Sequence, residues 1–265
     1  MKKNLTFLKL GGSLITDKGK ASAAHPERIA MIAQEIAAVL SEEPEMQLVI
    51  GHGSGSFGHI PAKRYGTRQG VNDAEGWRGF VEVWEQAAAL NQIMMQKLRT
   101  VRLAAIAFPP SASARAKDGE IASWDLTPLK SALAVGVTPV VYGDVVFDEV
   151  RGGTILSTEE LFQYLAKPLK PKRILLAANE AVYSDYPSRE TIIPEITSSN
   201  LADFSALLKG SEAEDVTGGM LGKVQSMLDL VEKEPEFEVR IFSGVEAGAV
   251  REALLGDEVG TRIGG

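Results

Sequence analysis

Short apolar, β-rich runs alternate with helical periodicity along nearly the whole chain, and this alternation narrows the fold more than any other feature. Leu5–Leu10, Gln47–Ile50, Leu103–Phe108, Thr138–Tyr142, Arg173–Ala177 and Val239–Phe242 read as buried strands. Helical segments lie between and after them. His25–Leu40 has Pro26 near its start and Ile29, Ile32, Ile36 and Val39 on one face. Asp73–Arg99 is a long helical stretch with a break expected near Gly79, and Leu126–Ala134, Thr158–Ala166, Leu201–Leu208, Gly222–Lys233 and Ala247–Leu255 complete the set. Such alternation implies an α/β fold with a mainly parallel sheet covered on both faces. Val145–Ile155 departs from the rhythm and reads as a β-hairpin beside the sheet edge. The 265 residues suffice for one large α/β domain or two closely packed lobes. Lys167-Pro168-Leu169-Lys170-Pro171-Lys172 is the best linker, dividing an N-terminal lobe (1–166) from a smaller C-terminal lobe (167–265).

Three glycine-rich segments fall at strand ends or helix starts, where α/β proteins bind ligands. They are Lys9-Leu10-Gly11-Gly12-Ser13, Gly51-His52-Gly53-Ser54-Gly55-Ser56-Phe57-Gly58-His59, and Asp215-Val216-Thr217-Gly218-Gly219-Met220-Leu221-Gly222-Lys223. Glycine lets successive N–H groups converge on phosphate oxygens, and a helix N-terminus adds partial positive charge. One such turn is commonly only a turn. Three together, two of them carrying a lysine, point to phosphate binding. The net charge of −7 argues against a nucleic-acid scaffold, so an anion site must concentrate its cations locally. The absence of cysteine excludes disulfides, thiolate metal sites and cysteine nucleophiles. No signal peptide or long apolar run follows Met1, which leads us to expect a cytoplasmic protein without membrane association.

Two familiar signatures fail. Gly53-x-Gly55-x-x-Gly58 has the dinucleotide spacing, but it follows the second strand, and Pro61, Gly66 and Gly70 are expected to spoil the long helix that should come next. Gly222-Lys223 is followed by Val224, and position 217 is Thr, so the Walker A spacing is absent.

Phe7-Leu8-Lys9-Leu10-Gly11-Gly12-Ser13-Leu14-Ile15-Thr16-Asp17-Lys18 resembles the opening of the amino acid kinase superfamily, and of isopentenyl phosphate kinases in particular. His52–His59, with Ala62-Lys63-Arg64-Tyr65-Gly66 behind it, is similar to that branch's substrate loop. Pro139–Val145 and Asp215–Lys223 match two further blocks, so the likeness runs in order over nearly the whole chain. It implies an open three-layer αβα sandwich, usually a homodimer, with the acceptor in the N-terminal lobe and ATP·Mg²⁺ in the C-terminal lobe. Two positions depart from the pattern. Ala177-Ala178-Asn179-Glu180-Ala181-Val182-Tyr183 stands where the family usually has a Thr-Asp-Val-Asp-Gly-like turn, and Ser157-Thr158-Glu159 where it usually has Ser-Gly-Asp.

Two phosphorylated molecules repel, so cations and N–H donors must converge where they meet. Lys9 and Lys18, flanking the first glycine loop, are assigned to the transferring phosphoryl group. His59, Ser54 and Gly55 are assigned to the acceptor's phosphate, with Gly143 passing close by, and Lys9, Gly11, Gly12, Ser13, Gly55, Gly218, Gly219 and Lys223 to ATP. Packing under the loop and ligand contact are equally open for His52, and Asp144 and Glu159 are the nearest acids. No metal ligand is assigned; Mg²⁺ comes with ATP. The implied acceptor is isopentenyl phosphate, with another small phosphate or phosphonate (fosfomycin-type), or a non-catalytic nucleotide sensor, as alternatives. An alkyl tail would need an apolar pocket, and the face formed by Phe80, Val83, Trp84, Ala87, Ala88 and Met94 is expected to supply part of its wall.

Overall fold

A computed structural model describes residues 4–17, 19–185, 188–210 and 219–264. In chain order the first half gives β1 (Asn4–Leu10), α1 (Gly12–Ile15), α2 (Pro26–Glu42), β2 (Met46–His52), α3 (Gly55–Tyr65), α4 (Ala74–Thr100), β3 (Ala105–Ala107), β4 (Ala114–Lys117), β5 (Glu120–Trp124), α5 (Thr127–Ala134) and β6 (Thr138–Tyr142). Then come β7 (Asp144–Asp148), β8 (Gly152–Leu156), α6 (Thr158–Leu169), β9 (Arg173–Ala178), β10 (Glu195–Ile196), α7 (Leu201–Gly210), α8 (Gly219–Lys233), β11 (Glu238–Ser243), α9 (Ala249–Leu255) and β12 (Thr261–Ile263).

The central sheet has the order β10-β12-β11-β9-β1-β2-β6-β3, and only β11–β12 is antiparallel. The alternation of side chains along β1 sorts the two layers that cover it. Leu5 and Phe7 belong to one core with Leu161, Phe162 and Leu165 of α6 and Val224, Met227 and Leu228 of α8. Leu8 and Leu10 belong to the other, with Ile29, Ile32 and Ile36 of α2, Leu90 and Met94 of α4, and Val250 and Leu254 of α9. This is the mainly parallel three-layer αβα arrangement expected from the sequence.

A second sheet, β5-β4-β7-β8, contains the expected hairpin. Its turn is held by Asp148, whose carboxylate accepts N–H groups from Asp118, Gly119, Val150 and Arg151 at 2.7–3.0 Å. The β4–β5 hairpin was not anticipated. Its signal was present in Asp118-Gly119, both at positive φ (52° and 86°), between Ala114-Arg115-Ala116-Lys117 and Glu120-Ile121-Ala122-Ser123-Trp124.

Four expectations need correction. α4 runs unbroken through Gly79, because that glycine makes room for a neighbour; a Cβ there would lie 2.2 Å from Cγ of Tyr65. A helix of 11 residues does follow Gly53-Ser54, and Pro61 lies within it. The segment 103–108 yields only β3, an edge strand with Ile106 half exposed, in place of a buried strand. Lys167-Pro168-Leu169 continues α6 instead of opening a linker, and Lys170 caps that helix in the left-handed conformation.

Candidate active site

The carboxyl ends of β1, β2, β6 and β9 are aligned by register. Leu10 pairs with His52 and Ala177, and His52 pairs with Tyr142. The chain therefore leaves all four strands at one edge, and the first two glycine segments emerge side by side. They touch backbone to backbone. A Cβ on Gly12 would lie 2.6 Å from Cα of Gly55, and one on Gly53 would lie 2.9 Å from N of Gly12. Gly55 has φ +49°, a conformation that side-chain-bearing residues seldom adopt. Gly11 donates its N–H to the carbonyl of Ala177 at 2.8 Å.

These loops form one wall of a cavity of about 200 Å³. Its lining includes Lys9, Gly12, Ser13, Ser54, Gly55, His59, Gly143, Glu159 and Lys223, so most of the expected site residues converge. Lys9 reaches it because period-two alternation puts it on the same face of β1 as Phe7. The Phe7 ring packs on Phe162 of α6, with centroids 4.9 Å apart. Two residues further along the strand and one turn back along the helix, the Lys9 ammonium meets Glu159 in a buried ion pair. The first turn of α6 is set by a capping box, with Ser157 and Glu160 satisfying each other's backbone N–H groups. Burial pushes the Glu159 carboxyl up, but the charges of Lys9 and Lys223 and the hydrogen bond from Lys9 prevail and hold it below the usual carboxylate range. One buried carboxylate thus gathers two lysines from opposite halves of the chain.

His59 lies in the second turn of α3, half-buried against the cavity, whereas its surroundings in sequence read as a loop. His52 takes the packing role. It is buried, its Nε2 is 3.1 Å from Oδ1 of Asn91, and its ring stacks on Tyr142 with centroids 5.2 Å apart. Burial pushes its pKa down, so it is neutral near pH 7. Asp144 is fully buried behind Gly143. It accepts from the Ser111 hydroxyl at 2.6 Å and from the Val145 N–H at 2.8 Å, and burial raises its pKa to about 6.

Lys18 and Gly218 lie outside the described residues. Gly219 opens α8 at φ +61°, three residues before the helix start read from sequence, and Lys223 follows one turn later, buried. In the altered turn after β9, Oδ1 of Asn179 accepts from Arg28 at 3.4 Å, and Glu180 pairs with Arg189 at 3.0 Å.

The same cavity is also lined by the apolar residues Ile60, Ala62, Val83, Ile155 and Leu156, of which Ala62, Val83 and Ile155 belong to one buried cluster. Of the α4 face expected to wall it, only Val83 does so. Phe80 packs against Trp77 and Phe147, Met94 and Leu90 are in the core on the other side of the sheet, Ala87 is buried away from the cavity, and Trp84 is largely exposed. Ile155 and Leu156 were missed because the hairpin arm that carries them reads only as a strand. Their sole signal was position, directly before the Ser157 cap.

The amino acid kinase family model matches residues 4–243. The chain is 35% identical to an isopentenyl phosphate kinase of Methanothermobacter thermautotrophicus, covering 98% of this chain and 99% of that protein. It is 32% identical to an isopentenyl phosphate kinase of Methanocaldococcus jannaschii, covering 98% of each. A solved structure, described as X-ray structures of isopentenyl phosphate kinase, superposes with a TM-score of 0.81 at 30% identity, over 98% of this chain and 99% of that one.

Proposed function

This chain belongs to the amino acid kinase family, and from that membership we propose that it transfers the γ-phosphoryl group of ATP to isopentenyl phosphate, giving isopentenyl diphosphate and ADP. The observation that carries the reading is a cavity whose lining brings two lysines and two glycine loops together with a buried apolar cluster. Its polar lining suits phosphate oxygens, with Lys9, Lys223, His59 and loop N–H groups as donors and its one carboxylate engaged by Lys9. Its apolar lining suits an alkyl tail better than the compact polar body of a phosphonate antibiotic. Glu159, although longer than the family's Asp, still engages Lys9, so the altered position leaves the lysine organised and favours a working kinase over a sensor.

In the reaction an oxygen of isopentenyl phosphate attacks the γ-phosphorus, the bond from that phosphorus to the β,γ-bridging oxygen breaks, and ADP leaves. That oxygen is already largely ionised near pH 7, so the step needs no general base. Catalysis then rests on placing two anions in line and offsetting their charge. We assign His59 and the N–H groups of Ser54 and Gly55 to the acceptor's phosphate, Lys9 and Lys18 to the transferring group, and Lys223 to the ATP phosphates. Gly12, Ser13, Gly218 and Gly219 approach the nucleotide. Among the described residues no group of three His, Asp or Glu side chains gathers to hold a metal. Magnesium carried by ATP would supply further charge neutralisation on the phosphates. We place the acceptor with residues 1–166 and ATP with residues 167–265, and we infer a cytoplasmic homodimer.

A coupled assay of ADP release across a panel of small monophosphates and phosphonates tests the reading. Isopentenyl phosphate should give the highest kcat/KM. ADP release with fosfomycin alone would reassign the acceptor, and release with none of the panel would favour the sensor.

A further inference from the structure

Thr16 ends α1 and is 1% exposed. Its hydroxyl donates to the carbonyl of Gly12 at 2.7 Å and accepts the N–H of Ser56 at 3.0 Å. The first group belongs to the donor-side glycine loop. The second is a first-turn N–H of α3, the helix that carries His59, and has no partner within its own helix. Gly55 completes the seam, since a Cβ there would come within 2.2 Å of the Thr16 hydroxyl. Thr16 itself does not line the cavity; Gly12, Ser13, Gly55 and Ser56 do.

Resting on the kinase reading above, we propose that Thr16 is a positioning residue: its hydroxyl sets the spacing between the loop that meets the transferred phosphoryl group and the helix that holds the acceptor. One backbone hydrogen bond, from the Gly53 N–H to the Leu10 carbonyl at 3.1 Å, joins the two glycine loops at their strand ends. Beyond it they touch through bare backbone, and contact of that kind resists approach without fixing lateral register. A hydroxyl with one donated and one accepted bond does fix it, because both bonds are directional. In-line transfer is sensitive to this register, and a misplacement of about 1 Å can cost on the order of a hundredfold in rate.

The test compares Thr16→Val, which keeps the shape and removes both hydrogen bonds, with Thr16→Ser, which keeps the hydroxyl. Single-turnover and steady-state kinetics with ATP and isopentenyl phosphate are run beside thermal unfolding. Thr16→Val is expected to lower kcat by roughly ten- to a hundredfold, with both KM values little changed, and Thr16→Ser to recover most of the rate. If wild type turns over and Thr16→Val matches it, the proposal fails while the kinase reading stands. If wild type itself releases no ADP from isopentenyl phosphate, the kinase reading fails first. Equal loss in Val and Ser variants, or a rise in KM alone, would also overturn the positioning role. Should Thr16→Val unfold below the assay temperature, Thr16→Ala reads the same split. Unfolding of both would show that the hydroxyl holds the fold and not the spacing.

Discussion

Lys9 and Glu159 stand 150 residues apart in sequence and form a buried ion pair across the junction of β1 and α6. Burying either charge alone would be costly, and each makes the other tolerable. The pair is reached by counting, two residues along a strand and one turn along a helix from the Phe7–Phe162 contact. The geometry of the core therefore sets the position of a charge proposed to act in phosphoryl transfer.

Glu159→Gln should lower kcat strongly and also destabilise the fold, by about 3–5 kcal/mol if it behaves as other buried pairs that lose one partner. Because the carboxyl is held below its ordinary value, its stabilisation is complete above about pH 4.5 and fades as pH falls through the depressed pKa. Urea unfolding from pH 3 to 8 should show that acid loss in wild type and a smaller one in the variant. Unchanged kcat would restrict Glu159 to a structural role.

His59→Ala should cost about 2–4 kcal/mol of transition-state stabilisation, the scale of losing one preorganised donor. His59→Gln retains an N–H donor and should lose less. Steady-state kinetics with isopentenyl phosphate decide it, and wild-type activity in the alanine variant would remove His59 from the acceptor site.

Asp144 gives a pH effect of opposite sign. Burial raises its pKa from 3.8 to about 6, so between these values the folded state binds more proton than the unfolded state. Its contribution therefore favours folding at low pH and is lost as pH rises through about 6. A shift of this size corresponds to roughly 3 kcal/mol. Asp144→Asn should flatten that component and be at least as stable as wild type at pH 8. A variant less stable at pH 8 would mean that the charged form is the stabilising one.

The apolar lining of the cavity should set tail length. Val83→Ala and Ile155→Ala each remove wall and should raise kcat/KM for geranyl phosphate relative to isopentenyl phosphate. A change of about 1–3 kcal/mol in discrimination is the scale of one methylene-sized alteration in an apolar pocket. Met94→Ala, in the core beyond the sheet, should destabilise without changing the ratio. A shift in the ratio with Met94→Ala, and none with the other two, would place the tail elsewhere.

The sheet and most of the site's polar residues were legible because strand hydrophobicity and glycine–lysine spacing are local signals. The α3 helix was hidden by its own composition. Gly55, Gly58, Pro61 and Gly66 each argue against a helix, yet Gly58 is required because a Cβ would lie 2.4 Å from the Ser54 hydroxyl oxygen. Gly79 misled in the same way, since its reason is the Tyr65 ring and not a helix break. The tail wall was misread because the apolar face of α4 serves three surroundings in turn. Phe80 packs with aromatics, Val83 meets the cavity, and Leu90 and Met94 enter the core beneath the sheet. Helical spacing alone does not divide such a face.

The central place of β1 ties correct folding to function. The strand is flanked by β2 and β9, with its two faces committed to different cores. A slip of one residue would exchange those faces. Lys9 would then point among the aliphatic side chains of α1 and α2, far from Glu159, while Leu10 would be pressed toward the carboxylate. Such a misregistered chain would bury the Lys9 charge without its carboxylate and leave Glu159 to Lys223 alone, as well as disrupting the core. The same lysine thus acts as a registration mark for the sheet, strongly disfavouring a compact form that is well packed but inactive.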